Sequence, residues 1–208
     1  MHNNSTLIKA KITGLILAGG RAKRMGGIDK GLISFNGKYM IEQCIEKLQP
    51  QVDQLLISAN RNIEQYAQYG FTLLEDNYGE FEGPLAGLLR ALEYSQNHPV
   101  LVVPCDAPLF PAGLANRLLK LYVEGETLAV IPHDGNRLQT LFGLYSKDAL
   151  PSLIQYLESG QRKVETWATS LPHIIVDFSN EHESFMNINT QDDLQTAQSA
   201  VNNNQDLE

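Results

Sequence analysis

Cysteine is scarce in this sequence, with only Cys44 and Cys105 in 208 residues. They lie far apart and form neither a Cys-x-x-Cys pair nor a disulfide framework. With no apolar stretch behind Met1, a reduced, cytoplasmic protein is expected. Long hydrophobic runs are missing too, which excludes a helical membrane span. Positive charge is in deficit: 16 Lys and Arg against 24 Asp and Glu leave a net charge of -8 and a pI of about 5.1. A general nucleic-acid binder needs a basic face, so that class is excluded. The five histidines show no metal-ligand spacing such as His-x-x-x-His. There is no internal repeat and no Pro- or Ser-rich linker. One domain over residues 12–200 is therefore expected, between a flexible arm (1–11) and a flexible tail (201–208).

Short apolar runs alternate with helical patterns. Ile12–Leu17, Gln54–Ala59, Phe71–Leu74, Val100–Val103 and Leu128–Ile131 read as strands buried on both faces. Met40–Lys47, Leu85–Tyr94 and Leu114–Val123 carry apolar residues at three- and four-residue spacing and read as amphipathic helices. The alternation implies an α/β fold, a three-layer arrangement with a mostly parallel central sheet and helices on both faces. Ligands in such folds sit at the carboxyl ends of the strands. Further on, Thr140–Tyr145 reads as another strand, for which an antiparallel course is open. Ala149–Leu157 and Glu165–Ser170 read as helices, and His173–Phe178 and Phe185–Ile188 as strands. Thr190 with Asp193 forms a capping-box signal for a last helix.

The first strand runs into Gly19-Gly20, then Arg21, Lys23 and Arg24, then Gly26-Gly27 and Lys30. Glycines let backbone N–H groups approach phosphate oxygens, and clustered cations in an acidic chain suggest an anion site. The alternative is a flexible glycine loop with solvated charges. Neither Gly-x-Gly-x-x-Gly nor a Gly-Lys-Ser/Thr ending is present, so the loop is not a P-loop. The run Val100–Pro104 leads through Cys105 to Asp106, a strand-end carboxylate able to hold Mg²⁺ or simply to cap the next turn. Asp76 follows the third strand, where an ordinary turn acid would also stand. Gly83-Pro84 opens a helix whose free N–H groups could face an anion, or the glycines there only permit tight packing.

Leu-Ala-Gly-Gly at 17–20, Arg24-Met25-Gly26 and Asp29-Lys30-Gly31 together resemble the signature loop of nucleoside-triphosphate transferases. The whole version most resembles the molybdenum cofactor guanylyltransferases. The Pro104-Cys105-Asp106-x-Pro108 and Gly83-Pro84-Leu85-Ala86-Gly87 elements match the same family. The likeness runs from about Ile12 to about Ala197. It implies a Rossmann-like nucleotidyltransferase fold and transfer of GMP from GTP to molybdopterin, with pyrophosphate released and Mg²⁺ as cofactor. By this resemblance Leu17, Ala18 and Gly19 contact the nucleotide through their backbone, Arg24 and Lys30 hold phosphates, Asp106 binds the metal, and Ser58, Asp76 and Gly83 line the nucleotide site. Ser58 is a departure, since the family commonly carries asparagine there, and a hydroxyl has the shorter reach.

Asn187 and Asn189 are linked by the same resemblance to molybdopterin, although turn and capping polarity would also account for them. Segments 134–137 and 160–163 could add polar contacts on that side. The acceptor phosphate is already ionised at neutral pH, so no nucleophilic side chain or strong base is needed. Molybdoenzyme chaperones are implied as partners, and a monomer is favoured. Rival readings are a cytidylyltransferase, a sugar- or polyol-phosphate nucleotidyltransferase, and a non-catalytic carrier of nucleotide or molybdopterin.

Overall fold

The computed structural model describes residues 11–18, 29–75 and 83–205; for 200–205 it describes the backbone only. Its centre is a seven-stranded sheet in the order β5-β4-β1-β6-β8-β7-β9. The strands are β1 (Thr13–Leu17), β4 (Gln54–Ser58), β5 (Thr72–Leu74), β6 (Val100–Pro104), β7 (Ala129–His133), β8 (Leu144–Tyr145) and β9 (His173–Asp177). Every pairing is parallel except those of β8, which runs antiparallel between β6 and β7. All five residues of β6 are buried, as its uninterrupted apolar run requires of a strand covered on both faces. A separate hairpin joins β2 (Ser34–Phe35) to β3 (Lys38–Tyr39). Its turn residues Asn36 and Gly37 both have positive φ, the backbone that an Asn-Gly pair tolerates.

Two apolar layers flank the sheet. On one side lie α1 (Met40–Leu48), α2 (Ile63–Ala67) and α4 (Leu114–Leu119), which bury Ile41, Cys44, Leu48, Tyr66 and Leu118 against Ile16, Ile57 and Val103. On the other lie α3 (Pro84–Tyr94), α5 (Leu150–Glu158) and α6 (Val164–Ser170), which bury Leu88, Leu92, Leu153 and Trp167 against Leu15, Leu56 and Val102. The period of two along β1 and β4 thus separates two cores, and the result is the three-layer α/β fold. The last helix, α7 (Gln191–Gln205), packs Leu194 and Ala197 on Phe35, Met40 and Ile188. Among the described residues no helix is long and apolar enough to cross a membrane.

Four expectations are corrected. Thr140–Phe142 is a 3-10 turn and only Leu144–Tyr145 forms a strand. Phe185–Ile188 is no strand either: Met186 N–H bonds Glu183 C=O and Ile188 N–H bonds Asp106 C=O, so this backbone is satisfied without a ladder. Helix α4 stops at Leu119, and the chain continues in turns to Thr127. Helix α7 continues through 201–205, the Asn-rich segment read as tail. Each further residue there gains a helical bond, and asparagine opposes that only weakly. Residues 1–10 of the expected arm and 206–208 of the tail lie outside the described residues.

Candidate functional site

The parallel register sets Leu17, Ser58 and Pro104 abreast at the carboxyl ends of β1, β4 and β6. Just beyond, an open cleft of about 640 Å³ lies under the start of α3. Leu17, Ser58 and Asn60 face it from one side, Gly83 and Pro84 from the helix, and Lys30, Cys105 and Asp106 from the other side. Gly83 has φ 94° and ψ −172°, a backbone only glycine adopts readily, and it turns the chain into α3. Gly87 lets that helix press onto the strand ends: a Cβ there would lie 2.6 Å from Ser58 Oγ and 2.7 Å from Leu17 Cδ2.

Lys30 is the meeting point of three chain segments. Its Nζ donates to Asp106 Oδ2 at 2.6 Å and also to Asn189 Oδ1. Both charged side chains of the ion pair are largely buried, with 17% and 15% exposure. The Asp106 backbone is fixed as well, because its carbonyl accepts from Ile188 N–H at 2.7 Å. Ile188 is buried, and its neighbours Asn187 and Asn189 are partly buried. Asn189 reaches Lys30, whereas Asn187 lines a second cavity with Arg137, Gln139 and Glu165. Leu141 borders both spaces.

Of the residues singled out by sequence, Leu17, Lys30, Ser58, Gly83 and Asp106 border the first cleft. Gly19, Arg24 and Asp76 lie outside the described residues. Ala18 is buried and its N–H donates to Ser58 C=O at 2.8 Å, while Leu17 C=O accepts from Cys105 N–H at 3.0 Å. Those two backbone groups hold the strand ends together. Sequence reasoning passed over Leu141, which has no chemical signature. It quoted Asp29 within the signature loop but gave it no role, and that residue is 6% exposed beside Lys30.

The electrostatics favour charge neutralisation over nucleophilic catalysis. Burial pushes the Cys105 thiol well above its ordinary value, and the Asp106 charge adds to that. Burial raises Cys44 likewise. Neither is poised to react as a thiolate. Among the described residues no group of three or more His, Cys, Asp or Glu is placed to hold a metal ion. Asp106 Oδ1 has no hydrogen-bond partner among them. One carboxylate with a free oxygen fits Mg²⁺, which commonly uses one or two carboxylates plus substrate phosphates and water. It does not fit a transition-metal cage.

Comparison with known proteins agrees with this geometry. Residues 14–173 match the model of the MobA-like NTP transferase domain. A molybdenum cofactor guanylyltransferase from Shewanella sp. (strain MR-4) is 41% identical over 192 residues, 92% of this chain and 98% of that protein. One from Pasteurella multocida (strain Pm70) is 43% identical over 182 residues, 88% of this chain and 96% of that protein. The crystal structure of molybdopterin-guanine dinucleotide biosynthesis protein A from Archaeoglobus fulgidus superposes with a TM-score of 0.77 at 25% identity. The match covers 92% of this chain and 99% of that one.

Proposed function

Because this chain belongs to the family of MobA-like NTP transferase domains, we propose that it transfers GMP from GTP to molybdopterin, releasing pyrophosphate and forming the guanine dinucleotide cofactor. The observation that carries this reading is the Lys30 ammonium. It lines the strand-end cleft with Asp106 and also donates to Asn189, two residues from Asn187 on the wall of the second cavity. One cation thus joins the cleft for the nucleotide to the segment that leads to the space for the acceptor.

The cleft under α3 takes the nucleotide, with Ser58, Asn60 and Gly83 around its base and ribose end. Lys30 and Arg24 neutralise the phosphates and the charge that grows on departing pyrophosphate. Asp106 would hold Mg²⁺, which when bound draws charge from the α-phosphate and favours attack there. The acceptor lies along Asn187 and Asn189, where amide groups can pair with the amide-like edge of a pterin. A bond forms between an acceptor phosphate oxygen and the α-phosphorus. The bond from the α-phosphorus to the bridging oxygen breaks, and its electron pair leaves with pyrophosphate. Since the attacking oxygen is already ionised, the protein's part is positioning and charge stabilisation.

Pyrophosphate release with GTP, CTP, ATP and UTP, each with and without molybdopterin and Mg²⁺, tests this reading. Release is expected only with GTP, molybdopterin and Mg²⁺ together. Lys30→Ala and Asp106→Ala should each lower it by about 100-fold or more, as expected when a group stabilising transition-state charge is removed. Preference for CTP, or turnover that survives both substitutions, would overturn the assignment.

A further inference from the structure

Lys30 can serve two ligands only if the origin of its long side chain is fixed. A lysine stem has many rotamers to lose on ordering, and a mobile backbone beneath it would add to the disorder. The residue just before it supplies an anchor. Asp29 Oδ1 accepts from the Tyr66 hydroxyl at 2.6 Å and from Gly31 N–H at 3.2 Å, and its Oδ2 accepts from Asn62 Nδ2 at 2.9 Å. The carboxylate is nearly buried and has no cationic partner among the described residues. Leaving such a group unpaired is costly unless hydrogen bonds compensate, and here three donors do so.

The donors come from one place. Asn62 holds a left-handed backbone (φ 51°, ψ 34°) at the start of α2, and Tyr66 stands one turn further on with its ring fully buried in the core. Burial above all pushes the Tyr66 hydroxyl up, so it keeps its proton and remains the donor. Gly31 belongs to the same arrangement, because a Cβ there would overlap Tyr66 Oη. The segment bearing Asn62 and Tyr66 follows β4, whose end contributes Ser58 and Asn60 to the nucleotide cleft. The bonds to Asp29 therefore tie one wall of that cleft to the wall that carries Lys30.

We propose that Tyr66 and Asn62, acting through Asp29, are positioning residues that hold Lys30 for phosphate binding. The proposal rests on the reading that Lys30 contacts the phosphates of GTP. Tyr66→Phe keeps the buried ring and removes only the hydroxyl. Asn62→Gly removes the other donor and keeps a residue that tolerates positive φ. The test is a double-mutant cycle on the full chain, with GTP affinity measured by calorimetry in the presence of Mg²⁺ and thermal unfolding recorded beside it.

With Lys30 intact, Tyr66→Phe should weaken GTP binding about fivefold, and Asn62→Gly should shift it in the same direction. In the Lys30→Ala background the same changes should shift it less than about twofold, since residues acting through a shared group are non-additive. A purely structural role would give equal losses in both backgrounds, and that result overturns the proposal, as does full affinity in Tyr66→Phe and Asn62→Gly with Lys30 present. If Lys30→Ala itself leaves GTP binding unchanged, the phosphate assignment of Lys30 falls and this proposal falls with it. That pattern is distinct from a failure of positioning alone. If Tyr66→Phe does not fold, Asn62→Gly carries the cycle by itself.

Discussion

Lys30 and Asp106 are far apart in sequence yet share one hydrogen bond, and the reason either stands out in the chain differs from the reason they meet. Asp106 is visible because a fully apolar run ends in an acid, and Lys30 because it closes a glycine-rich, cationic stretch. Their contact is set by β1 and β6 lying side by side, a tertiary fact that no local pattern encodes. Asp29 was read only as part of the signature loop and given no role, because its importance lies in its burial and an acid beside a lysine normally reads as a solvated pair. The ion pair has a measurable corollary. Asp106→Asn removes a negative charge from beside the phosphate site while retaining an acceptor for Lys30. In titration calorimetry without divalent cations this variant should bind GTP several-fold more tightly than the wild type, and added Mg²⁺ should no longer improve binding. A full Mg²⁺ response in the variant would remove the metal from Asp106.

Helices α3 and α7 show what patterning conveys about an element and what it leaves out. The apolar spacing of Leu85, Leu88, Leu89 and Leu92 announces α3, and all four are buried. The spacing does not announce how closely the helix approaches β1 and β4, which depends on Gly87. Gly87→Ala should cost about 1–3 kcal/mol in urea unfolding, the usual penalty for overpacking, and should weaken GTP binding as the helix start moves off the cleft. The N-terminus of α7 was legible as a capping box: Asp193 N–H donates to Thr190 Oγ1, and Asp193 Oδ2 accepts from Thr190 N–H. The same carboxylate accepts from Asn189 N–H, and this backbone bond is the main cause holding its carboxyl below 3.8. A carboxyl depressed in the folded state adds stability above its unfolded value and loses it as pH falls through the lower folded value. The stability gap between wild type and Asp193→Asn should thus be constant near neutrality and close progressively in acid below about pH 4. A gap that persists unchanged in acid would show that the charge is not what Asp193 contributes.

Across the whole molecule, the strands β1, β4 and β6 were readable because they are parallel, largely buried and separated by helical segments, whereas the small β2–β3 hairpin went unread. Beyond β7 the short antiparallel β8 and several 3-10 turns interrupt that rhythm, and the pattern there describes burial better than shape. Phe185 illustrates this. Its apolarity correctly signals the core, but it lies in a turn, edge-on to Phe142 at 5.0 Å and to Phe178 at 5.4 Å between ring centroids. Phe185→Ala should destabilise the chain by about 3–5 kcal/mol, read by denaturant unfolding, because a large buried ring leaves a cavity. The bond from Ile188 N–H to Asp106 C=O has a further meaning for anyone who dissects this protein by substitution. It joins the late segment to the end of β6 through main-chain atoms alone, so replacing Asn187 or Asn189 alters what that segment offers to a ligand without cutting its mooring. Only proline at 188 removes the donor itself, which makes that one position the control that separates loss of chemistry from loss of scaffold.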